Sequence, residues 1–337
     1  MRAVRVTEYG GPEVLRVEEL ADPLPGPGEI LVAVAAAGVN FLDVYRRSGI
    51  YPGPLPFVPG IEAAGVVTAV GPAPDGAQPR HRIGDRVAWA NQPGGYAELA
   101  VIPAARAVSV PDALPLAQAA SALLQGMTAH YLVHDTYPVG PGSTVLVHAA
   151  AGGTGQFLTR LARLRGGRVI GTVSCAEKEK AARAAGAEHV LRHGIDDIAA
   201  RVRELTDGRG VDAVYDGVGG PTFEGSVASL RPRGTLAVFG QAGGAVPPVD
   251  LQRLNTAGSV FVTRPNLDHH IATPAELALR AADVFALVVD GRIDVHTGGS
   301  FPLEEAEEAH RALESRASVG KLLLTTGTAA RMENHHD

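Results

Sequence analysis

The stretch of this chain best suited to chemistry is His148-Ala149-Ala150-Ala151-Gly152-Gly153-Thr154-Gly155-Gln156. It follows an apolar, strand-like run and opens a helix-like one. Glycines let a backbone approach a pyrophosphate closely, and the helix N-terminus behind them offers unpaired N–H groups at the positive end of its dipole. The G-x-G-x-x-G spacing is incomplete, because Leu158 stands where a third glycine would follow Gly153 and Gly155. Taken with the strand before it and the helix after it, the turn Gly152, Gly153, Thr154 and Gly155 reads as a dinucleotide cradle.

Which dinucleotide is decided further on. An NAD site usually carries Asp or Glu about 20 residues past the glycines, at the end of the second strand, to bind the ribose 2′-hydroxyl. Here that strand end is Gly171-Thr172-Val173-Ser174-Cys175, with no carboxylate, and Lys178 follows. A small hydroxyl at Ser174 and a cation at Lys178 suit a 2′-phosphate, so the cofactor expected is NADPH. Glu177 lies near but is expected to point outward.

The elements that hold these residues fall into two textures. Up to about residue 120 the chain reads as β: Ile30 to Ala36, Gly65 to Val70, Arg86 to Ala90 and Tyr96 to Ile102 are short Val/Ile/Ala-rich runs broken by Gly and Pro. This predicts a twisted, partly barrel-like antiparallel sheet. Tyr51 to Gly60 is too rich in proline for strand or helix and reads as a loop of fixed shape. From Leu116 the pattern alternates. A helix over Leu116 to Val133 precedes strands at Thr144–His148, Arg168–Val173, His189–Leu191, Val211–Asp216 and Thr235–Gly240. Helices are expected at Gly155–Leu164 and Ala176–Ala185. This is the signature of an α/β fold with a doubly wound parallel sheet. A strand over Val260–Arg264, helices over Pro274–Val289 and Leu303–Ser315, and a strand over Lys321–Thr325 follow. The tail 327–337 is polar and expected to be disordered.

Composition narrows the class. The chain has 337 residues, enough for about two domains. Its net charge is −6 with no dense Lys/Arg stripe, which argues against nucleic acid as a partner. The single cysteine, Cys175, excludes an internal disulfide and a four-cysteine zinc site. No window approaches the ~18–20 apolar residues of a membrane span, and Met1 to Val6 enters strand texture without a signal-peptide core. The expectation is a cytoplasmic protein without a membrane partner.

With these residues in hand, the chain resembles the zinc-independent quinone oxidoreductase (zeta-crystallin-like) family of the medium-chain dehydrogenase/reductase superfamily. The resemblance runs from Met1 to about Leu324. It is carried by Gly10-Gly11-Pro12-Glu13-Val14-Leu15, Gly38-Val39-Asn40-Phe41-Leu42-Asp43, Gly60-Ile61-Glu62-Ala63-Ala64-Gly65, His148 to Gly155, and Leu313-Glu314-Ser315-Arg316. It implies a GroES-like catalytic domain in two pieces, 1–122 and 266–326, around an NADPH-binding Rossmann domain, 123–265, with the ligand cleft between them. The superfamily's Gly-His-Glu zinc segment is here Gly60-Ile61-Glu62, so no metal is expected.

The resemblance further implies that Lys178 and Ser174 hold the 2′-phosphate, that His193 lies near the adenosine phosphate, and that Arg316 reaches the cofactor. It sets Thr128 and the turn Phe239-Gly240-Gln241 beside the nicotinamide. The plainer alternatives are a surface histidine for His193 and a helix C-terminal cap for Arg316. The reaction implied is hydride transfer to a quinone or related conjugated carbonyl. Without zinc, the oxygen that gains negative charge needs neutral donors, and Tyr51, Asn40 and Tyr45 are the candidates. Each tyrosine could instead be an apolar wall, and Asn40 a turn cap. Asp43 is expected to cap a short helix, Trp89 to pack in the core, and Gln92 to be a weaker site candidate. Relatives that reduce the C=C bond of alkenals or enones share these features, and a non-catalytic NADPH-binding protein is a further alternative. A homodimer through the strand Val260 to Arg264 is expected by analogy.

Overall fold

A computed structural model describes residues 1–72 and 79–327. Of the tail expected at 327–337, positions 328–337 lie outside the described residues. The chain divides into two compact units, one made of Met1–Leu124 and the stretch from Ile271 onward, the other of Gln125–His270.

The first unit begins with a two-stranded antiparallel ribbon, β1 (Arg2–Arg5) and β2 (Arg16–Glu19). Its main sheet is built on β3 (Glu29–Val39), whose residues after Glu29 are all buried. Helix α1 (Phe41–Arg47) follows at once, then β4 (Glu62–Val70), β5 (Arg86–Ala90), β6 (Leu99–Pro103) and β7 (Ala107–Ser109). Antiparallel partners flank β3, with β4 and β6 both hydrogen-bonded to it. Helix α2 (Leu116–Tyr131) contains the division between the units. Beyond Tyr131 the expected helix does not continue to Val133 as α-helix; it relaxes into one π-turn over Leu132–Thr136.

The second unit alternates without interruption. Its elements are β8 (Thr144–Val147), α3 (Gly153–Leu164), β9 (Arg168–Val173), α4 (Ala176–Ala184), β10 (His189–Arg192) and α5 (Ile198–Leu205). They continue with β11 (Val211–Asp216), α6 (Gly220–Ser229), β12 (Leu230–Val238), α7 (Leu251–Thr256) and β13 (Phe261–Thr263). The six strands form a parallel sheet in the order β10-β9-β8-β11-β12-β13. Counted from β8 as the first strand, that order is 3-2-1-4-5-6, the Rossmann arrangement, whose direction reverses between β8 and β11. β8 and β11 are buried along their whole length; β8 is apolar after Thr144, whereas β11 carries Asp212 and Asp216 within its buried stretch. The core between sheet and helices includes Leu146, Ile170, Val214, Phe223 and Leu236.

The chain then returns to the first unit through α8 (Pro274–Val289), β14 (Thr297–Pro302), α9 (Ala306–Glu314) and β15 (Lys321–Thr325). Thr273 and Glu276 form a capping box at the head of α8. β15 pairs antiparallel with β3 and parallel with β14. Packed on this sheet are Val4, Val32, Trp89, Tyr96, Leu303 and Leu324, so Trp89 is a core residue as expected.

Three elements differ from the sequence expectation. β12 starts at Leu230, not Thr235, because a bulge carries the strand through Pro232-Arg233-Gly234, with Arg233 in the left-handed region at φ 61°. β14 carries two glycines and a terminal proline and lies at a sheet edge, so its sequence holds no strand signal. The helix expected over Leu303–Ser315 is a 3₁₀ turn at Leu303–Glu305 followed by α9.

Candidate dinucleotide site and its supports

Ala149 stands at φ 51°, the left-handed bend that lets the chain leave β8 and enter α3 within a few residues. Gly152 is the N-cap of α3 and has no side chain to satisfy the first-turn N–H groups. The N–H groups of Gly153, Thr154 and Gly155 therefore sit where a helix has no acceptor of its own for them. Gly155 is sterically fixed, since a Cβ there would lie 2.3 Å from the Ala149 carbonyl oxygen. A Cβ on Gly153 would overlap the Gln125 side chain, whose buried Oε1 has no hydrogen-bond partner. A backbone this close-packed, with first-turn donors that no N-cap side chain takes, fits a pyrophosphate.

At the neighbouring strand end, β9 finishes at Val173 and Ser174 follows, exposed. Lys178 is half-buried in α4. β10 pairs with β9 so that Arg192 lies against Val173, which sets His193 beside Ser174; the His193 N–H donates to the Val173 carbonyl at 3.0 Å. Ser174, Lys178 and His193 thus share one end of the sheet, and no carboxylate stands at the end of β9. At the end of β12, the N–H of Phe239 donates to the Asp216 carbonyl at 2.8 Å. Gly240 lies so close to Gly217 that a Cβ would meet its carbonyl at 2.6 Å. Thr128 is half-buried in α2.

The sequence reading missed a buried polar chain beneath these residues. His148, 2% exposed, bonds Thr172 Oγ1 through Nδ1 and Ser226 Oγ through Nε2, both at 3.0 Å. The Ser226 hydroxyl donates to Asp216 Oδ2 at 2.9 Å, and Thr222 donates to the same oxygen at 2.7 Å. Asp216 Oδ1 accepts from the N–H groups of Val218 and Gly219. At the other end, His193 Nε2 lies 2.9 Å from Thr172 Oγ1. Burial pushes the His148 imidazole down to about 4, with Asp216 opposing and His193 adding to the shift. Burial likewise lowers His193. The available signal was a polar residue inside each of three apolar strand ends, His148, Thr172 and Asp216. A linear sequence does not say that these ends are neighbours.

The first unit places the other expected residues. Asn40 is buried at the head of α1, and its side chain is committed to an ionic cluster. Its Oδ1 accepts from Lys321 Nζ at 2.6 Å, while Nδ2 donates to Glu62 Oε2 at 3.2 Å and to the Gly38 carbonyl at 3.1 Å. Lys321 and Glu62 are paired at 2.6 Å, with side chains 1% and 0% exposed, and Glu62 Oε1 accepts from the Leu124 N–H. Asp43, the third helical residue of α1, caps the helix as expected, as the carboxylate arm of a capping box with Asn40 at the N-cap. Its carboxylate reaches back to the Asn40 N–H and across to the N–H groups of Gly60 and Ile61, each at 3.1 Å. Burial, opposed by Lys321 and these donors, raises Asp43 to about 6.

Tyr45 is buried in α1 and meets Tyr51 edge-on, with ring centroids 5.4 Å apart. Tyr51 is 38% exposed, and its N–H donates to the Tyr45 carbonyl. The proline-rich loop beyond it is held where the Tyr9 hydroxyl donates to the Gly53 carbonyl at 2.6 Å. Gln92 folds onto its own neighbour, donating to the Asn91 carbonyl. Arg316 is exposed just past α9, at φ 57°.

A zinc ion does not fit the expected metal position. Where the superfamily places a histidine, Ile61 is fully buried, and the adjoining Glu62 already carries the Lys321 ammonium. Among the described residues no group of three or more His, Cys, Asp or Glu could hold a metal. Nor is any helix there long and apolar enough to cross a membrane.

The comparisons with known proteins agree with this architecture. The zinc-binding dehydrogenase family matches residues 153–271, and the alcohol dehydrogenase GroES-like domain matches residues 26–112. The quinone oxidoreductase of Pseudomonas aeruginosa is 42% identical over 325 residues, 96% of this chain and 99% of that protein. The 2-haloacrylate reductase of a Burkholderia species is 40% identical over 331 residues, 96% of this chain and 98% of that one. A mycobacterial protein solved with NADPH superposes with a TM-score of 0.93 at 52% identity, covering 97% of this chain and all of that one. By its sequence, its paired domains and its strand order alike, the chain belongs to the quinone oxidoreductase family of the medium-chain dehydrogenase/reductase superfamily.

Proposed function

We propose that this chain is an NADPH-dependent oxidoreductase that reduces quinones without a metal. The observation that carries the reading is the turn at the end of β8, where Gly155 leaves no room for a Cβ and the first-turn N–H groups of α3 have no helix acceptor. Gly152, Gly153, Thr154 and Gly155 would hold the pyrophosphate. Ser174, Lys178 and His193 would hold the 2′-phosphate, since no carboxylate at the end of β9 repels it. Thr128, Phe239, Gly240 and Arg316 are assigned to the same cofactor. When bound, NADPH supplies the hydride.

The chain's own residues then bind and orient the acceptor and stabilise charge on its oxygen. Tyr51 is the proton donor of this reading, because its phenol sits on an anchored loop and Tyr45 braces its ring. Asn40 acts less directly, since Lys321 and Glu62 fix its side chain. The buried Lys321–Glu62 pair supports metal-free chemistry: a positive charge is already built beside the residue that adjoins the superfamily's zinc ligand.

The test is cofactor consumption by purified protein with a naphthoquinone and with an alkenal, using NADPH and NADH in parallel. Faster turnover of the quinone with NADPH supports this reading. Faster turnover of the alkenal supports C=C reduction, which the likeness to 2-haloacrylate reductase favours as a second reading. Failure to bind either cofactor overturns both. The assembly proposed is a homodimer. β13 is an edge strand with Phe261 62% and Val262 36% exposed, and an apolar edge of this kind pairs readily with its own copy across a two-fold axis.

A further inference from the structure

The polar chain under the nucleotide site has a direction, and the direction ends at His193. The hydroxyl of Ser226 spends its one hydrogen on Asp216 Oδ2, so its oxygen can only accept from His148 Nε2–H. With burial keeping the imidazole neutral, His148 Nδ1 carries a lone pair and accepts the hydroxyl hydrogen of Thr172. Thr172 has then given its hydrogen away, and its oxygen accepts from His193 Nε2–H. Asp216 thereby fixes the tautomer of His193 three side chains away. The nitrogen left for a ligand is Nδ1, which in the neutral ring is a lone pair that an anion would avoid.

We propose that His193 takes up a proton from solvent when a 2′-phosphate binds, becoming a doubly donating imidazolium held by Thr172 on one side and the phosphate on the other. Selection of NADPH over NADH is then proton-coupled. The proposal rests on the assignment of the glycine turn and Ser174 as a dinucleotide site, and it deepens that assignment. Thr172, His148, Ser226 and Asp216 are positioning residues, and His193 is the group that touches the ligand.

The surroundings support a ring that is neutral when free and charged when bound. Burial disfavours the charged ring, and Asp216 alone opposes that cost in the free protein. His148, stacked with ring centroids 5.5 Å away, is held neutral and adds no opposing charge. On its own segment, Asp196 is tied to the Arg192 N–H. The elements packed on β10 bring Glu177, Lys178, Glu179, Lys180 and Arg183 on α4, of which Glu179 and Arg183 pair with each other. They also bring Arg201, Arg203 and Glu204 on α5, where Arg201 pairs with Glu204 and Arg203 caps carbonyl oxygens. Arg168 on β9 pairs with Glu188. A phosphate dianion beside Ser174 would be a new negative charge at close range, and it raises the affinity of the ring for a proton.

The experiment measures binding of 2′,5′-ADP and of 5′-AMP, which differ only by the 2′-phosphate, to the full chain between about pH 6.5 and about pH 8.5, where that phosphate is mostly a dianion. In the unmodified protein, 2′,5′-ADP is expected to weaken at least about fivefold as pH rises, with 5′-AMP nearly unchanged. His193→Gln should lose that weakening and keep only the titration of the 2′-phosphate itself, which the unmodified protein shares. Thr172→Val should lose the slope and Thr172→Ser should keep it, a rescue that a purely structural role for Thr172 would not produce. Calorimetry in buffers of different ionisation enthalpy should register proton uptake with 2′,5′-ADP only. If both ligands bind and the wild-type slopes are equal, the proton coupling is wrong while the dinucleotide site stands. If neither ligand binds, the site assignment fails and the coupling with it.

Discussion

Lys178 and Tyr51 are the two side chains on which the chemistry of the proposed function turns, and each makes a different demand. In the proposed site Lys178 is the cation that would discriminate between cofactors that differ by one phosphate. Lys178→Ala is expected to raise the KM for NADPH by about tenfold or more, corresponding to the loss of one charge-assisted contact, and to change the KM for NADH little. Steady-state kinetics with both cofactors checks this, and equal effects would remove Lys178 from the phosphate. In the proposed reading Tyr51 acts on the acceptor. Tyr51→Phe should lower kcat several-fold while leaving NADPH binding intact, because only the hydroxyl is lost and the ring still meets Tyr45. An unchanged kcat would leave Tyr51 as wall. Lys178 and the glycines stand out in the sequence because their types match one ligand's chemistry. Asn40 was legible only as a polar residue; that Lys321, far along the chain, takes its carbonyl oxygen follows from the pairing of β15 with β3.

Elements decide where such residues stand, and two elements make specific demands. The β8–α3 turn is close-packed at Gly155. Gly155→Val would push a side chain into the Ala149 carbonyl, so NADPH binding should be lost and stability should fall by about 1–3 kcal/mol. Cofactor fluorescence titration and thermal unfolding measure the two effects. A variant that binds normally would show that the turn can open. β13 ends the parallel sheet with Phe261 uncovered. For the proposed homodimer, Phe261→Asp should leave each subunit folded and shift the assembly toward monomer in light scattering, because charge on an edge strand opposes edge-to-edge pairing. The central strands of the second unit were visible in sequence because they are buried almost throughout, so β8, β9 and β11 are short runs dominated by Val, Leu and Ile with few polar residues among them. β14, and the part of β12 that precedes Thr235, were not visible. Their glycines and prolines spell turn chemistry, and only pairing with β15 and β11 makes them strands.

At the scale of the whole molecule, buried titrating groups govern its response to acid. His148 is pushed down to about 4 and His310, buried beside Tyr96, to about 3, both chiefly by burial. In the unfolded chain each histidine binds its proton near pH 6.5, so below that pH the unfolded state gains protons that the folded state refuses. Stability should fall as pH drops from about 6.5, by up to about 1.4 kcal/mol per pH unit for each histidine. Asp43 acts in the opposite sense. Raised to about 6, it takes its proton in the folded state first and returns part of the loss between pH 6 and its unfolded value of 3.8. The expected result is a Tm that declines from pH 7 to pH 5, and a Tm flat across that range would mean that the histidines are charged in the native state.

Local residue types and short spacings set the alternation of strands and helices, the glycine turn, the absence of an acid at the end of β9 and the isoleucine, Ile61, at the superfamily's zinc-segment position. Tertiary structure alone decided that His148, Thr172, Ser226, Asp216 and His193 are linked by hydrogen bonds, and that Asn40, Glu62 and Lys321 share one buried cluster. Those groupings come from parallel strands meeting at their ends and from β15 closing on β3. Such contacts join residues far apart along the chain, and no local pattern of types records which distant residue will satisfy a buried polar atom.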